Sequence, residues 1–182
     1  TCAQAQVVHA FKHEGLKKTK ESYLSQFISF NVGDELDSVK LEETKQRLVN
    51  LEMFGNVEYE VAVEAEKSVV IYRYEELFTL LPIFSFGGIE ENFWLQVGAS
   101  EVNLGGRGNK LTTYYQYYDR SSFAAHLRFD RIKQSNWGLN VNLIKWSTLE
   151  PLFFSNGVGE YEYDIYTAGF DVIRHFSFRF LV

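Results

Sequence analysis

Apolar and polar residues alternate strictly over 123–130. Phe123, Ala125, Leu127 and Phe129 fall on one side, and Ala124, His126, Arg128 and Asp130 on the other. Trp137-Gly138-Leu139-Asn140-Val141-Asn142-Leu143 repeats the pattern, and Phe93, Leu95, Val97 and Ala99 oppose Trp94, Gln96, Gly98 and Ser100. A period of two is the mark of strands with one apolar face. Residues 110–118 are aromatic on both sides. The pattern predicts strands at 77–86, about 93–104, 110–118, 123–130, 137–146 and about 166–173, with a seventh starting near Ser177. Turns are predicted at 87–92, 105–109, 119–122 and 133–136, and a long loop at 147–164.

The first part of the chain reads differently. Val7, Val8, Ala10 and Phe11 suggest a strand that Gly15 breaks. Thr19 is placed to cap a helix carrying Tyr23, Leu24, Phe27 and Ile28 on one face. Asp37 or Ser38 caps a second helix with Leu41, Leu48 and Leu51 inward, ended by Gly55-Asn56. Val57 to Val63 alternates as a half-buried strand, and Glu64 to Lys67 turns it into a second strand at 68–74. The predicted order is β-α-α-β-β.

Composition sharpens the division. Aromatic residues make up 16 % of 182 residues. Lys and Glu crowd residues 12–76, whereas Tyr, Phe, Gly and Asn crowd 77–182, so a boundary is expected near Glu76. A net charge of −6 argues against a general nucleic-acid surface. The single cysteine, Cys2, excludes a disulfide framework or a Cys-based metal site within the chain. No apolar run approaches the roughly 20 residues of a membrane helix, but a barrel strand needs only about 9–11. Ala3-Gln4-Ala5 has the form of a signal-peptidase site, so residues 1–6 read as a signal remnant or a disordered tail. An acylated Cys2 is the weaker alternative.

Several motifs resemble those of BamA-type outer-membrane assembly and transport proteins. Gly15 to Thr19 resembles the family's G-x-x-x-T start. Gly33, Asp34, Leu36, Asp37, Lys40 and Leu41 resemble its G-D-x-L-D-x-x-K-L link. Leu48, Leu51, Met53, Phe54 and Val57 resemble its helix exit, departing in that Glu52 stands where a Gly precedes the Met position. Leu80 to Gly87 and Asn103 to Asn109 resemble the opening of the family's barrel.

The resemblance implies an α+β POTRA domain (β-α-α-β-β) in the periplasm at 7–76. Antiparallel transmembrane β-barrel strands would follow at 77–182. It also implies an incomplete barrel, since the chain ends within or just after a seventh strand and bacterial barrels close on even numbers. The implied function is insertion or translocation of outer-membrane proteins by strand templating at a lateral gate. Leu80, Pro82, Phe84 and Phe86 would form the gate strand, and Val57, Tyr59, Val61 and Val63 the POTRA edge that accepts a partner strand. The first-strand edge at 7–11 is a second candidate. Gly105, Gly106, Arg107, Gly108 and Asn109 would form a periplasmic turn. The implied partners are outer-membrane lipid, unfolded outer-membrane protein clients, and periplasmic or lipoprotein accessory subunits. A passive outer-membrane anchor with a docking domain and an exported soluble β-rich binding protein are the competing readings.

Candidate chemistry is sparse. The Gly105–Asn109 turn lacks the G-K-[ST] ending of a phosphate loop. His9 and His13 fall in a strand and a turn rather than on one helix face, and His126 reads as a lumen residue. No G-x-S-x-G elbow occurs. Glu90-Glu91 and the group Glu160, Glu162, Asp164 read as solvated acids. No catalytic residue, metal or cofactor is expected, and the protein is not expected to be an enzyme.

Overall fold

The computed structural model describes residues 7–64, 67–89, 92–132 and 135–176. Thr1 to Gln6, Glu90-Glu91, Lys133 and the residues from Ser177 on, where a seventh strand is expected, lie outside them. Two compact units divide the chain. One holds the residues up to Phe78 together with the turn Gly105–Gly108, and the other holds Thr79–Leu104 and the residues from Asn109 onward.

In the first unit the order is β1 (Val8–Glu14), α1 (Glu21–Leu24) followed by a 3-10 turn at Ser25–Phe27, α2 (Ser38–Val49), β2 (Phe54–Glu64) and β3 (Lys67–Glu76). The sheet order is β1-β3-β2, with β1 parallel and β2 antiparallel to β3. The central strand is accordingly apolar on both faces, with Val69, Val70, Ile71 and Tyr72 all buried. Leu24, Leu41, Leu48, Val8 and Val57 complete the core beside Tyr72. The Asp37 carboxylate accepts from the Val39 amide at 2.9 Å and caps α2.

Three expectations shift here. Thr19 does not cap α1; Lys20 holds that position without a side-chain bond. α2 ends at Val49 rather than at Gly55. The chain then reverses through Glu52, whose φ of 58° is left-handed, and Gly55 lies inside β2 at an irregularity in its pairing.

The second unit is a six-stranded antiparallel meander in sequence order. Its strands are β4 (Leu80–Gly87), β5 (Trp94–Leu104), β6 (Asn109–Tyr118), β7 (Arg120–Phe129), β8 (Trp137–Phe154) and β9 (Gly157–Arg174). Among the described residues the sheet is not closed, and β4 and β9 are its edges. The predicted loop at 147–164 is instead the outer part of one hairpin, paired continuously from Trp137–Arg174 to Phe154–Gly157. Phe153 and Phe154 on one arm and Val158, Tyr161 and Tyr163 on the other suit extended backbone. The turn predicted at 119–122 is tighter, with Asp119 alone between the paired Tyr118 and Arg120.

Candidate functional site

The register sorts the second unit into two faces. One row crosses it as Leu80, Glu101, Leu111, Leu127, Val141 and Phe170. The next is Pro82, Ala99, Thr113, Ala125, Leu143 and Ala168, and the next Phe84, Val97, Tyr115, Phe123, Lys145 and Tyr166. This face is apolar and open: Phe84, Leu143 and Phe170 are 66, 55 and 74 % exposed. Such exposure across many residues marks a contact surface rather than scattered surface apolars. The opposite face is polar. Ser100 and Thr112 share a hydrogen bond at 2.8 Å, as do His126 and Asn142, and the Tyr114 ring stacks on His126.

Toward the hairpin tip the alternation inverts on β9 alone: Asp164, Glu162 and Glu160 lie on the side that was apolar and Ile165, Tyr163 and Tyr161 on the side that was polar, whereas on β8 Leu149 and Phe153 keep the apolar side. The acids are not a bare solvated loop. Glu162 pairs with Arg120 at 3.0 Å and Asp164 with Lys145 at 3.4 Å. At the other end of β8 the Arg174 guanidinium stacks 5.2 Å over the Trp137 ring.

The β4 edge has a defined polarity. The Val102 amide donates to the Thr79 carbonyl at 3.0 Å, one step before the Leu80–Glu101 pair. Hydrogen-bonded and non-hydrogen-bonded pairs alternate in an antiparallel ladder. Leu81, Ile83 and Ser85 therefore bond to β5, and Leu80, Pro82, Phe84 and Phe86 aim their backbone groups outward. Pro82 has no N–H, so the outward edge lacks a donor at its middle while pairing to β5 is intact.

In the first unit, β2 is an outer strand of the sheet. Val57 is buried, Tyr59 and Val61 pack against the core, and Val63 is 65 % exposed. These side chains face the core or the strand's end, so the edge available to a partner is β2 backbone. The β1 edge is partly occupied, because Gly33 donates to the Val8 carbonyl at 2.8 Å and Val8 to that of Asp34 at 3.0 Å.

The Gly105–Gly108 turn packs within the first unit. The Lys20 amide donates to the Gly106 carbonyl at 2.9 Å. A Cβ on Gly106 would stand 2.1 Å from the Lys18 carbonyl oxygen. The segment it meets is held by Glu76, a residue without a sequence signal. The Glu76 carboxylate accepts from the amides of Lys17, Lys18 and Thr19 at 2.5, 3.0 and 3.0 Å, and from the Thr19 hydroxyl at 2.7 Å. Burial pushes its pKa up, but these bonds to the charged form outweigh it and the carboxyl sits below its usual range. His13, bonded to the Tyr74 hydroxyl at 2.8 Å, is pushed down by burial against the opposing pull of Glu21.

A two-layer α/β unit followed by an open antiparallel meander with one apolar face defines the class: a POTRA domain joined to barrel-type strands. Residues 7–76 match the family model described as POTRA, surface antigen variable number repeat. Among solved structures, the fold is similar to that of BamA from Haemophilus ducreyi lacking POTRA domains 1–3, with TM-score 0.70 and 17 % identity over 82 % of this chain and 29 % of that one. It is also similar to CdiB from Acinetobacter baumannii, with TM-score 0.60 and 14 % identity over 95 % of this chain and 34 % of that one. CdiB from Escherichia coli gives 0.61 and 12 % over 92 % and 33 %. The chain thus spans about a third of the length of these structures. No curated protein matches it. The resemblance to BamA-type outer-membrane POTRA and barrel proteins holds over both units.

Proposed function

We propose that these strands form the opening part of a transmembrane β-barrel in the bacterial outer membrane, with the POTRA domain in the periplasm. In this reading the protein inserts or translocates outer-membrane proteins. The observation that carries it is the outward edge of β4 beside a continuous apolar face. In hydrocarbon every backbone polar group needs a partner, so an open edge at the lipid boundary is a strong template for an incoming strand. Leu80, Phe84 and Phe86 offer donors and acceptors there, and Pro82 offers an acceptor alone. The gap leaves one carbonyl of the incoming strand unpaired, which keeps the seam releasable. β2 of the POTRA domain adds a second, sequence-tolerant edge for an extended client or an accessory subunit. The role is binding and templating; no side chain is assigned a catalytic step.

The test places a photo-crosslinker at Leu80 or Phe84 during insertion of an unfolded outer-membrane protein into proteoliposomes. Adducts with the client's strands are expected. Insertion at an undiminished rate after covalent blocking of the β4 edge would sink the templating role and leave a passive anchor.

A further inference from the structure

Where β8 and β9 leave the apolar face, a cation stands without a carboxylate among the described residues. Trp137 and Arg174 are directly paired across the two strands. The Arg174 guanidinium lies 5.2 Å over the Trp137 ring and 5.2 Å over that of Phe176, two residues on. Two rings therefore flank the guanidinium, and its N–H donors are left for a further acceptor. Trp137 and Phe176 are themselves open, at 47 and 74 % exposure.

This group stands at one border of the apolar band. β5 ends at Leu104 and β6 starts at Asn109; in the antiparallel order Trp137, which opens β8, and Arg174, which closes β9, lie at that same end. From there the face runs through Leu139–Val172, Val141–Phe170 and Leu143–Ala168 to the next charge, Lys145, which is paired with Asp164. Trp137 and Lys145 are eight residues apart on β8, which is about 27 Å along the strand at about 3.4 Å per residue. A strand tilt of about 40° reduces this to about 21 Å across a bilayer, near the roughly 25 Å apolar band of membrane barrels. With the first unit in the periplasm, Trp137 and Arg174 fall at the headgroup level of the periplasmic leaflet, a depth at which tryptophan concentrates.

We propose that Arg174, Trp137 and Phe176 bind the phosphodiester of an anionic phospholipid of that leaflet, of the phosphatidylglycerol class. This deepens the membrane reading above and rests on it. The guanidinium fork takes two phosphate oxygens, and the rings lie against the glycerol and the first methylenes of the chains. Charge selects the headgroup. No carboxylate stands on this face of β8 or β9 between Arg174 and Asp164. An ethanolamine or choline cation therefore gains no partner, whereas a single negative charge is neutralised.

The test is native mass spectrometry of the detergent-purified protein with equimolar phosphatidylglycerol, phosphatidylethanolamine and phosphatidylcholine of matched chains. Retention of phosphatidylglycerol about fivefold above the other two is expected, the size of one exposed ion pair. Arg174→Gln should abolish that preference. Trp137→Leu, which keeps an apolar side chain and removes the ring, should reduce it about twofold. Lys145→Gln, at the other border and already neutralised by Asp164, should leave it in place. Equal retention of the three lipids by the unaltered protein, or a preference unchanged in Arg174→Gln or in Trp137→Leu, would overturn the site. So would a preference lost equally in Lys145→Gln, or displacement of the lipid by inorganic phosphate. Flotation with phosphatidylethanolamine vesicles, with and without phosphatidylglycerol, separates the two readings. Protein that floats without lipid preference defeats only this inference, and protein that does not float defeats the membrane reading itself.

Discussion

The Thr19 hydroxyl donates to Glu76 Oε1 at 2.7 Å, across 57 residues of chain, and closes a ring of four hydrogen bonds around one carboxylate. The last residue of β3 thereby orders the segment between β1 and α1. Thr19 points into this contact one residue ahead of α1, and the N-cap position falls to Lys20, which has no acceptor to cap with.

Replacing Glu76 with Gln removes the charge and one acceptor oxygen. Hydrogen bonds to charged groups contribute about 1.5–3 kcal/mol each to stability, and their partial loss predicts a destabilisation of about that size for the POTRA domain. Urea unfolding of the domain by tryptophan-free probes, such as far-ultraviolet circular dichroism, measures it.

Acid should act on the same domain in two stages. His13 has a lowered pKa, so the unfolded chain takes up its proton first and stability falls as pH drops through the ordinary histidine value of 6.5. Glu76 also has a lowered pKa, so its contribution is complete above its unfolded value of 4.5 and is lost as pH falls through the lower folded value. The difference between the unaltered protein and Glu76→Gln should therefore close at low pH. A gap that persists well below pH 4.5 would show that the carboxylate charge is not what holds the segment.

Two glycines of one turn should respond differently to alanine. Gly105 and Gly106 have φ of 69° and 72°, so each substitution carries a left-handed backbone cost of about 1–2 kcal/mol. At Gly105 nothing lies within 4 Å of the new Cβ, whereas at Gly106 it meets the Lys18 carbonyl oxygen at 2.1 Å. Gly106→Ala should also loosen the turn, seen as faster amide exchange at Lys20, whose bond to Gly106 is lost. Equal exchange in the two variants would refute the packing argument.

Pro82→Ala restores an outward donor to the β4 edge and leaves its pairing to β5 unchanged. One added hydrogen bond of about 1 kcal/mol corresponds to roughly fivefold slower release of a paired strand. Client release from proteoliposomes reads this directly. Faster release would reverse the role given to Pro82.

The two faces of the sheet should tolerate charge unequally. Leu143→Arg, in the middle apolar row, is expected to cost about 2–4 kcal/mol in a bilayer. Gln116→Arg, on the polar face, should cost little. Folding into vesicles, followed by the heat-dependent shift in gel mobility, compares them.

The two faces of the sheet were legible in the chain before folding. Alternation of period two requires no partner to be read, because successive side chains on a strand point to opposite sides, and so Phe123, Leu127 and Val141 were placed correctly against His126 and Asn142. The cap of α2 was legible to within one residue, Asp37 or Ser38, being a contact between near neighbours, and the structure gives it to Asp37. Tertiary structure decided what depends on distant pairing. The β8–β9 hairpin runs on through 147–164 because its two arms satisfy each other's backbone, and neither arm shows that alone. Pro82 was visible as a missing donor, but the side of the strand on which the donor is missing follows from the Thr79–Val102 bond. Thr19 read as a helix cap and Glu76 as a boundary, and their contact carried no signal, since a buried carboxylate is stable only where distant amides converge on it, and that convergence exists only in the folded chain.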